Sequence, residues 1–133
     1  MIDTTHRFQG HGSLRFVHQK GKVIRGTYGV IKYALNRRRQ TYRVAVVVSR
    51  KVHKSAVVRN RIRRRIYELV RTQAHRIVEP YDIVFIVYSD QVAELPADQL
   101  RTLVYEKLEK AGILEAEKPK GQADRGIVKE KEN

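Results

Sequence analysis

The chain has 133 residues, 41% of them hydrophobic, and it contains no cysteine. This length favours one domain with its own core, and the lack of cysteine excludes disulfides and thiolate metal sites. The net charge of +14 is concentrated, because residues 4–67 hold 5 Lys and 13 Arg but no Asp or Glu. Crowding like charges costs free energy that a polyanion relieves, so the composition favours a nucleic-acid partner.

Apolar runs in this sequence are too short for a membrane span. The longest are residues 44–48 and 83–88, whereas a spanning helix needs about 20 apolar residues. Residues 1–7 also lack the apolar core of a signal peptide. We therefore expect a soluble, cytoplasmic protein with no membrane partner.

The first predicted elements are an irregular arm and a short helix. Residues 1–11 show no periodicity. Ser13 then offers a side-chain oxygen that can cap a helix N-terminus. We expect this helix to end at Lys20-Gly21, because glycine is favoured just past a helix C-terminus. So short a helix persists only when it packs against another element.

Strands follow before the most basic stretch. Residues 22–35 form one bent strand or two short strands, because Gly26 and Gly29 interrupt the apolar pattern. A β-branched run at residues 42–49 is the clearest strand of the first half. Because only a turn at residues 36–40 separates it from the preceding strand, a hairpin is the simplest pairing.

A long basic helix is predicted from Ala56 to the late seventies, with Ser55 as its N-cap and Pro80 as its limit. Its apolar residues recur at helical spacing along one stripe: Val58, Ile62, Ile66, Leu69 or Val70, and Ile77. At about 100° per residue, Arg63 and Arg64 lie opposite this stripe. A merely solvated face usually mixes charge signs, whereas this helix has no acid before Glu68. The pattern therefore favours phosphate binding.

The second half predicts a buried strand and a second amphipathic helix. Residues 82–88 are nearly all apolar, as in a strand that is central or buried on both faces. Residues 97–111 have a helical apolar stripe that Gly112 ends. Residues 115–133 are charged and aperiodic, so we expect a disordered tail after a single domain at 1–114.

The order of these elements predicts an α+β sandwich. The strand at residues 42–49, the basic helix and the strand at residues 82–88 form a β-α-β unit. Two strands joined in this way are parallel neighbours, because the crossover helix returns the chain to the same end of the sheet.

The carboxylates and histidines do not indicate a hydrolytic site on the protein. Asp82, Asp90 and Glu94 are the only acids near a predicted sheet, and Asp82, at the start of a strand, favours a turn or capping role. The histidines lack metal-ligand spacing. Among the aromatics of the basic half, which could stack unpaired bases, Tyr33 is the strongest candidate.

Two segments carry a family resemblance. Residues 49–52, Ser-Arg-Lys-Val, and residues 56–66, Ala-Val-Val-Arg-Asn-Arg-Ile-Arg-Arg-Arg-Ile, resemble the signature of the bacterial ribonuclease P protein component. Arg7-Phe8, Lys20-Gly21-Lys22 and a strand beginning Tyr81-Asp82 agree with it. The resemblance covers about residues 6–114. It implies an α-β-β-β-α-β-α sandwich with a mixed sheet and a left-handed crossover through the basic helix.

The resemblance also implies a function. The family member is the protein subunit of ribonuclease P, an endoribonuclease that removes the 5′ leader of precursor tRNA. In that family the RNA subunit is the catalyst and, with the substrate, binds most of the Mg²⁺. The implied partners are therefore the RNA subunit and precursor tRNA, with no DNA. The alternative from the residues alone is a structural RNA-binding protein, such as a ribosomal protein.

The matching positions imply two groups of site residues. The RNA-binding group follows the motif and the strand end before it: Ser49, Arg50, Lys51, Arg59, Asn60, Arg61, Arg63, Arg64 and Arg65. The second group would line a cleft for the leader, between the first helix and the sheet: Leu14, Phe16, His18 and Tyr33. In this cleft, Leu14 and His18 stand where the family often places aromatics.

Overall fold

The computed structural model describes residue 6 and residues 11–115, with side chains from residue 14 onwards in the second range. The predicted tail beyond residue 115, and nearly all of the predicted arm, lie outside the described residues. The helices and strands are α1 His11–Lys20, β1 Lys22–Arg25, β2 Gly29–Leu35, β3 Arg43–Val48, α2 Ala56–Thr72, β4 Tyr81–Val87 and α3 Ala97–Lys110. Short 3-10 turns follow α2 at Ala74–Arg76 and β4 at Asp90–Ala93.

β4 has an interior position in the four-stranded sheet, whose order is β1-β2-β4-β3. Its residues Ile83 and Val84 lie on opposite faces and are both fully buried, as the apolar run predicted. β4 pairs parallel with β3 and antiparallel with β2. The predicted parallel pair is confirmed. The predicted hairpin between β2 and β3 is wrong, because the doubly buried β4 lies between them.

The glycine-interrupted segment forms two short antiparallel strands. The N–H of Gly26 donates to the carbonyl oxygen of Gly29 at 2.9 Å and closes the turn between β1 and β2. A Cβ atom on Gly29 would lie 2.2 Å from the carbonyl oxygen of Ile86, so β4 can approach only a glycine here. The structure therefore selects the two-strand alternative.

The two faces of the sheet are covered by different helices. Ile31, Val46 and Phe85 lie on one face and belong to the main core, which includes residues of α2 and α3. Residues of alternate register form the other face, here called the α1 face: Val30, Lys32, Ala34, Arg43, Ala45, Val47, Asp82, Val84 and Ile86. α1 packs against β2 and β4, and its Val17 is fully buried.

α2 buries the stripe that its sequence predicted. Ser55 caps its N-terminus, as expected. Ile62 and Val70 are 0% exposed and join the main core. The hydroxyl of Tyr67 accepts a hydrogen bond from the N–H of Val46 at 3.3 Å, which ties α2 to the outer side of β3.

α2 ends at Thr72, earlier than predicted, and the chain continues in the 3-10 turn Ala74–Arg76. Arg76 is buried, and its Nη2 donates to Glu109 Oε2 at 2.6 Å. Its Nε also donates to the carbonyl oxygen of Glu115 at 2.7 Å. Because a buried guanidinium must be paired, these bonds hold the turn against the end of α3.

The end of α3 agrees with the sequence prediction. α3 ends at Lys110, and Gly112 has a φ of +78°. Glycine adopts this left-handed conformation without steric cost, so it reverses the chain at a helix C-terminus. The reversal returns Ile113 and Leu114 to the core, where both are buried.

The buried stripe makes a direct prediction about stability. We expect Ile62→Ala to lower the free energy of unfolding by about 2–5 kcal/mol, because the side chain is fully enclosed. The matched control is Val57→Ala on the same helix, where Val57 is 74% exposed and the change should stay within about 0.5 kcal/mol. Urea unfolding of both variants measures the difference, and equal effects would contradict the assigned helix face.

Candidate nucleic-acid interface

A tight turn after β3 carries the first predicted RNA-binding residues. The N–H of Val52 donates to the carbonyl oxygen of Ser49 at 3.0 Å, so Arg50 and Lys51 occupy the tip of the turn. The side chains of Ser49, Arg50 and Lys51 are exposed. No side chain in the described part of the chain pairs with Arg50 or Lys51. The turn therefore presents two cations to solvent on a fixed backbone.

Arg59 holds the loop that precedes α2. Its Nη1 donates to the carbonyl oxygens of His53 at 2.9 Å and Lys54 at 2.8 Å. The N–H of Ser55 donates to His53 Nδ1 at 3.0 Å in the same loop. Arg59 is half-buried, and these bonds occupy part of its guanidinium. Its geometry fits a positioning role better than direct exposure to RNA.

Asn60 and Arg63 form a linked pair on the outer side of α2. Arg63 Nη1 donates to Asn60 Oδ1 at 2.6 Å. Arg63 Nη2 lies 3.4 Å from the carbonyl oxygen of Val48, at the end of β3. Asn60 is exposed and Arg63 is half-buried. The pair thus orients the Arg63 guanidinium beside the turn that follows β3.

Arg65 makes internal contacts on a different side of α2. Its Nη1 donates to the carbonyl oxygen of Val92 at 2.7 Å, and its Nη2 donates to that of Leu95. Both carbonyls belong to the 3-10 turn after β4 and its continuation. Arg65 thus fixes this turn against α2, and the structure separates it from the exposed arginines with which it was grouped.

Arg61 and Arg64 are the exposed arginines of the predicted set on α2. Arg61 forms an ion pair with Glu94 at 3.4 Å, in which both side chains are largely in solvent. Such an exposed pair stabilises the folded protein by only about 0–1 kcal/mol, so a phosphate can displace the carboxylate from Arg61. Arg64 has no pairing side chain among the described residues.

The first acid of the helix is neutralised locally. Arg71 Nε donates to Glu68 Oε1 at 2.9 Å. This hydrogen bond and the positive charge of Arg71 lower the pKa of the Glu68 carboxyl, and the carboxylate in turn raises the pKa of Arg71. The pair marks the end of the uninterrupted basic surface on α2.

The predicted cleft residues of α1 lie at its surface. Leu14 is half-buried, His18 is exposed and Phe16 is 55% exposed. The floor beside α1 is formed by the half-buried residues Ala45, Val47 and Ile86 of β3 and β4. This partly apolar, half-buried strip of the sheet beside α1 is here called the groove.

Tyr33 does not line this groove. It is 9% exposed and lies in the main core on the opposite face of the sheet. Its ring packs edge-to-face with that of Tyr81, with 6.1 Å between the centroids. The prediction for Tyr33 is therefore wrong in position, because strand alternation turns Lys32, its chain neighbour, toward the α1 face.

A buried ion pair was missed by sequence reasoning. Arg43 Nε and Nη2 donate to Asp82 Oδ1 at 3.0 Å and Oδ2 at 2.9 Å. Asn36 Nδ2 also donates to Oδ2 at 2.9 Å. The two strands that hold Arg43 and Asp82 begin side by side, so their opposite charges were a usable signal. Asp82 thus serves an ion pair, which corrects the expected turn or capping role.

The basic helix and the mixed sheet can be compared with known proteins. A profile of the family described as Ribonuclease P matches residues 2–112. The chain belongs to the ribonuclease P protein family. It is 43% identical over 110 residues to the ribonuclease P protein component of Roseiflexus sp. (strain RS-1), covering 83% of this chain and 88% of that one. For Clostridioides difficile (strain 630) the identity is 44% over 86 residues, covering 64% and 74%.

Solved structures of the family share the fold. The RNase P protein of Staphylococcus aureus superposes with a TM-score of 0.73 at 22% identity, covering 83% of this chain and 98% of that one. The RNase P protein of Thermotoga maritima gives 0.69 at 23% identity, covering 78% and 96%. The α+β class with three helices and a four-stranded mixed sheet is therefore confirmed.

Family membership connects the chain with an endoribonuclease complex and with tRNA processing. Within residues 11–115, no helix has the length and apolarity that crossing a membrane requires. Across the described residues, no three His, Asp or Glu side chains are grouped so that they could hold a metal ion. The exposed arginine and lysine side chains carry guanidinium and ammonium groups, which pair with phosphate or carboxylate oxygens.

The contrast between Arg65 and Arg64 can be measured without RNA. We expect Arg65→Ala to lower the free energy of unfolding by about 1.5–3 kcal/mol, because two carbonyl groups lose a charged donor. Arg64→Ala, an exposed neighbour, should change it by less than about 0.5 kcal/mol. Chemical denaturation followed by circular dichroism checks both values. A stable Arg65→Ala variant would show that the two hydrogen bonds do not support the fold.

Proposed function

We propose that this protein is the RNA-binding subunit of ribonuclease P. It binds the catalytic RNA subunit and the 5′ leader of precursor tRNA, and it thereby promotes endonucleolytic removal of the leader. Membership of the ribonuclease P protein family supports its place in the ribonuclease P complex. The observation that carries the binding role is the set of exposed cations on the turn after β3 and the outer side of α2, in a stretch of sequence, residues 4–67, that has no acid.

The arrangement of the cations supports phosphate binding. Arg50 and Lys51 occupy a turn tip, and Arg61 and Arg64 are exposed on the adjacent helix. Arg59 stabilises this arrangement, because its side chain donates hydrogen bonds to the loop that joins the turn to α2. A rigid support lowers the entropy lost when an arginine pairs with phosphate, because less of the chain must become ordered. The surface thus suits a structured RNA.

The proposal assigns catalysis to the RNA subunit. A hydrolytic protein site needs a convergent acid and base within hydrogen-bond distance of the reacting groups. Asp82 already accepts bonds from Arg43 and Asn36, and Glu94 pairs with Arg61. We expect the Mg²⁺ of the reaction to be bound mainly by RNA and substrate, with the protein supplying cations that lower the repulsion between them.

The groove along the α1 face is the proposed path of the leader. Its floor is partly apolar and half-buried, which suits the faces of unpaired bases. Lys32 on the same face adds a cation for the backbone. Phe16, more than half exposed on α1, supplies an aromatic ring at the rim.

Reconstitution with the RNA subunit of the same genome tests the proposal. The protein alone should cleave nothing, but it should lower the Mg²⁺ concentration at which the RNA cleaves precursor tRNA. The assembled particle should also bind precursor tRNA more tightly than mature tRNA. Lack of stimulation would contradict the subunit role, and equal binding of the two tRNAs would favour a general structural RNA-binding protein.

Exposed and anchored cations should differ in their salt dependence. We expect Arg64→Ala to weaken RNA binding and to reduce the slope of log K against log salt by about 0.7–0.9, the value for one lost phosphate contact. Arg101→Ala, an exposed arginine on α3, is the matched control and should leave the slope unchanged. Filter binding of the RNA subunit over a salt series measures both. Equal slopes for the two variants would place the RNA surface elsewhere.

A further inference from the structure

A small apolar pocket lies between the main-core face of the sheet and α3, at the end where β1 turns into β2. Its walls include Ile31, Phe85, Leu100 and Val104. The pocket has a volume of about 50 Å³. A water-sized group needs about 10–15 Å³ of such space, so there is room for a chain of a few carbon atoms. None of the cations proposed to bind RNA lines this pocket.

Lys107 of α3 is the charged residue in the lining of the pocket. Its side chain lies against the turn between β1 and β2, because a Cβ atom on Gly26 would be only 2.3 Å from its Nζ and 2.0 Å from its Cε. The lysine therefore fits here only because Gly26 has no side chain. Lys107 is half-buried, and its ammonium has no hydrogen bond or ion pair with any of the described residues.

The surroundings of Lys107 favour the neutral amine. Burial disfavours the charged form of an amine, and it lowers the pKa of the Lys107 ammonium. The carboxylate of Glu106 opposes this shift only in part. The neutral amine has the free lone pair that attacks a carbonyl carbon, so a desolvated lysine is the more reactive nucleophile. Lys110, on the last turn of the same helix, is exposed and lacks this burial.

We propose that Lys107 is an acylation site, at which Nζ accepts a short acyl group from an acyl phosphate and the acyl chain enters the pocket. The lone pair of Nζ forms an amide bond with the acyl carbon. The bond between that carbon and the phosphate oxygen breaks, the phosphate leaves with the electron pair, and the amine loses a proton to water. Arg25, exposed directly before Gly26, attracts the phosphate end of the donor.

The product of this step suits its surroundings better than the free lysine does. A neutral amide replaces a half-buried charge that has no partner, and the acyl chain covers apolar surface in the pocket. Acylation should therefore stabilise the fold. This modification is separate from RNA binding and goes beyond the proposed function.

The first experiment uses the full-length protein and acetyl phosphate at neutral pH, with mass spectrometry to follow acetylation of each lysine over time. We expect Lys107 to react several-fold faster than Lys110, its exposed neighbour on α3. Benzoyl phosphate has a ring too large for the pocket and should lose most of this preference. Equal rates for the two lysines with acetyl phosphate, or the same preference with both reagents, would overturn the proposal.

Gly26→Ala tests the position of the lysine without changing it. The added Cβ would lie 3.4 Å from the nearest backbone atom, the carbonyl oxygen of Gly29, so the turn can accept it. The Lys107 side chain must move away, and its rate of acetylation should fall to that of Lys110. Circular dichroism verifies that the variant is folded. An unchanged preference for Lys107 in the folded variant would contradict the proposed site.

Urea unfolding after acetylation tests occupancy of the pocket. The acetylated protein should have a higher midpoint than a Lys107→Arg variant treated with the same reagent, relative to each protein before treatment. Arginine keeps the charge and does not accept the acetyl group, so the comparison removes the effect of the other lysines. An equal shift in the two proteins would show that the acetyl group on Lys107 does not fill the pocket.

Discussion

The burial of one apolar stripe on α2 is the constraint on which the rest of the structure depends. Ile62 and Val70 are fully enclosed, so the rotation of the helix about its axis is fixed. That rotation decides the role of each arginine. Arg61 and Arg64 remain in solvent, whereas Arg65 reaches the backbone of the turn after β4. A few buried side chains thereby set the geometry of a surface made of charges.

Periodicity in the sequence was sufficient to predict features that depend on neighbouring residues. The C-terminal end of α1, the Ser55 cap, the stripe on α2 and the reversal at Gly112 depend on neighbours along the chain, and all were predicted. The start of α1 was predicted wrongly, because the helix begins at His11 and includes Ser13, the expected N-cap. Strand order depends on distant segments. The predicted β2–β3 hairpin does not form, because β4 lies between the two strands. This position buries both apolar faces of β4, which comes some 30–50 residues later in the chain.

The candidate site also has features that the sequence predicted and features that depend on distant contacts. The motif identified the basic stretch, but a sequence does not show which carbonyl groups will meet a guanidinium. Arg59 and Arg65 were therefore grouped with the RNA-binding residues, although loops folded against α2 occupy them. Tyr33 failed by one residue of strand register, because strand alternation turns its ring to the core face. Formal charge thus overstates the cations available to phosphate.

The contact between Tyr67 and Val46 has a consequence for solubility. β3 is an edge strand, and a bare edge offers its backbone to strands of other molecules, which leads to aggregation. The Tyr67 hydroxyl occupies the N–H of Val46, and Arg63 lies over the carbonyl of Val48. The helix that presents arginines thereby also covers part of the exposed edge of β3.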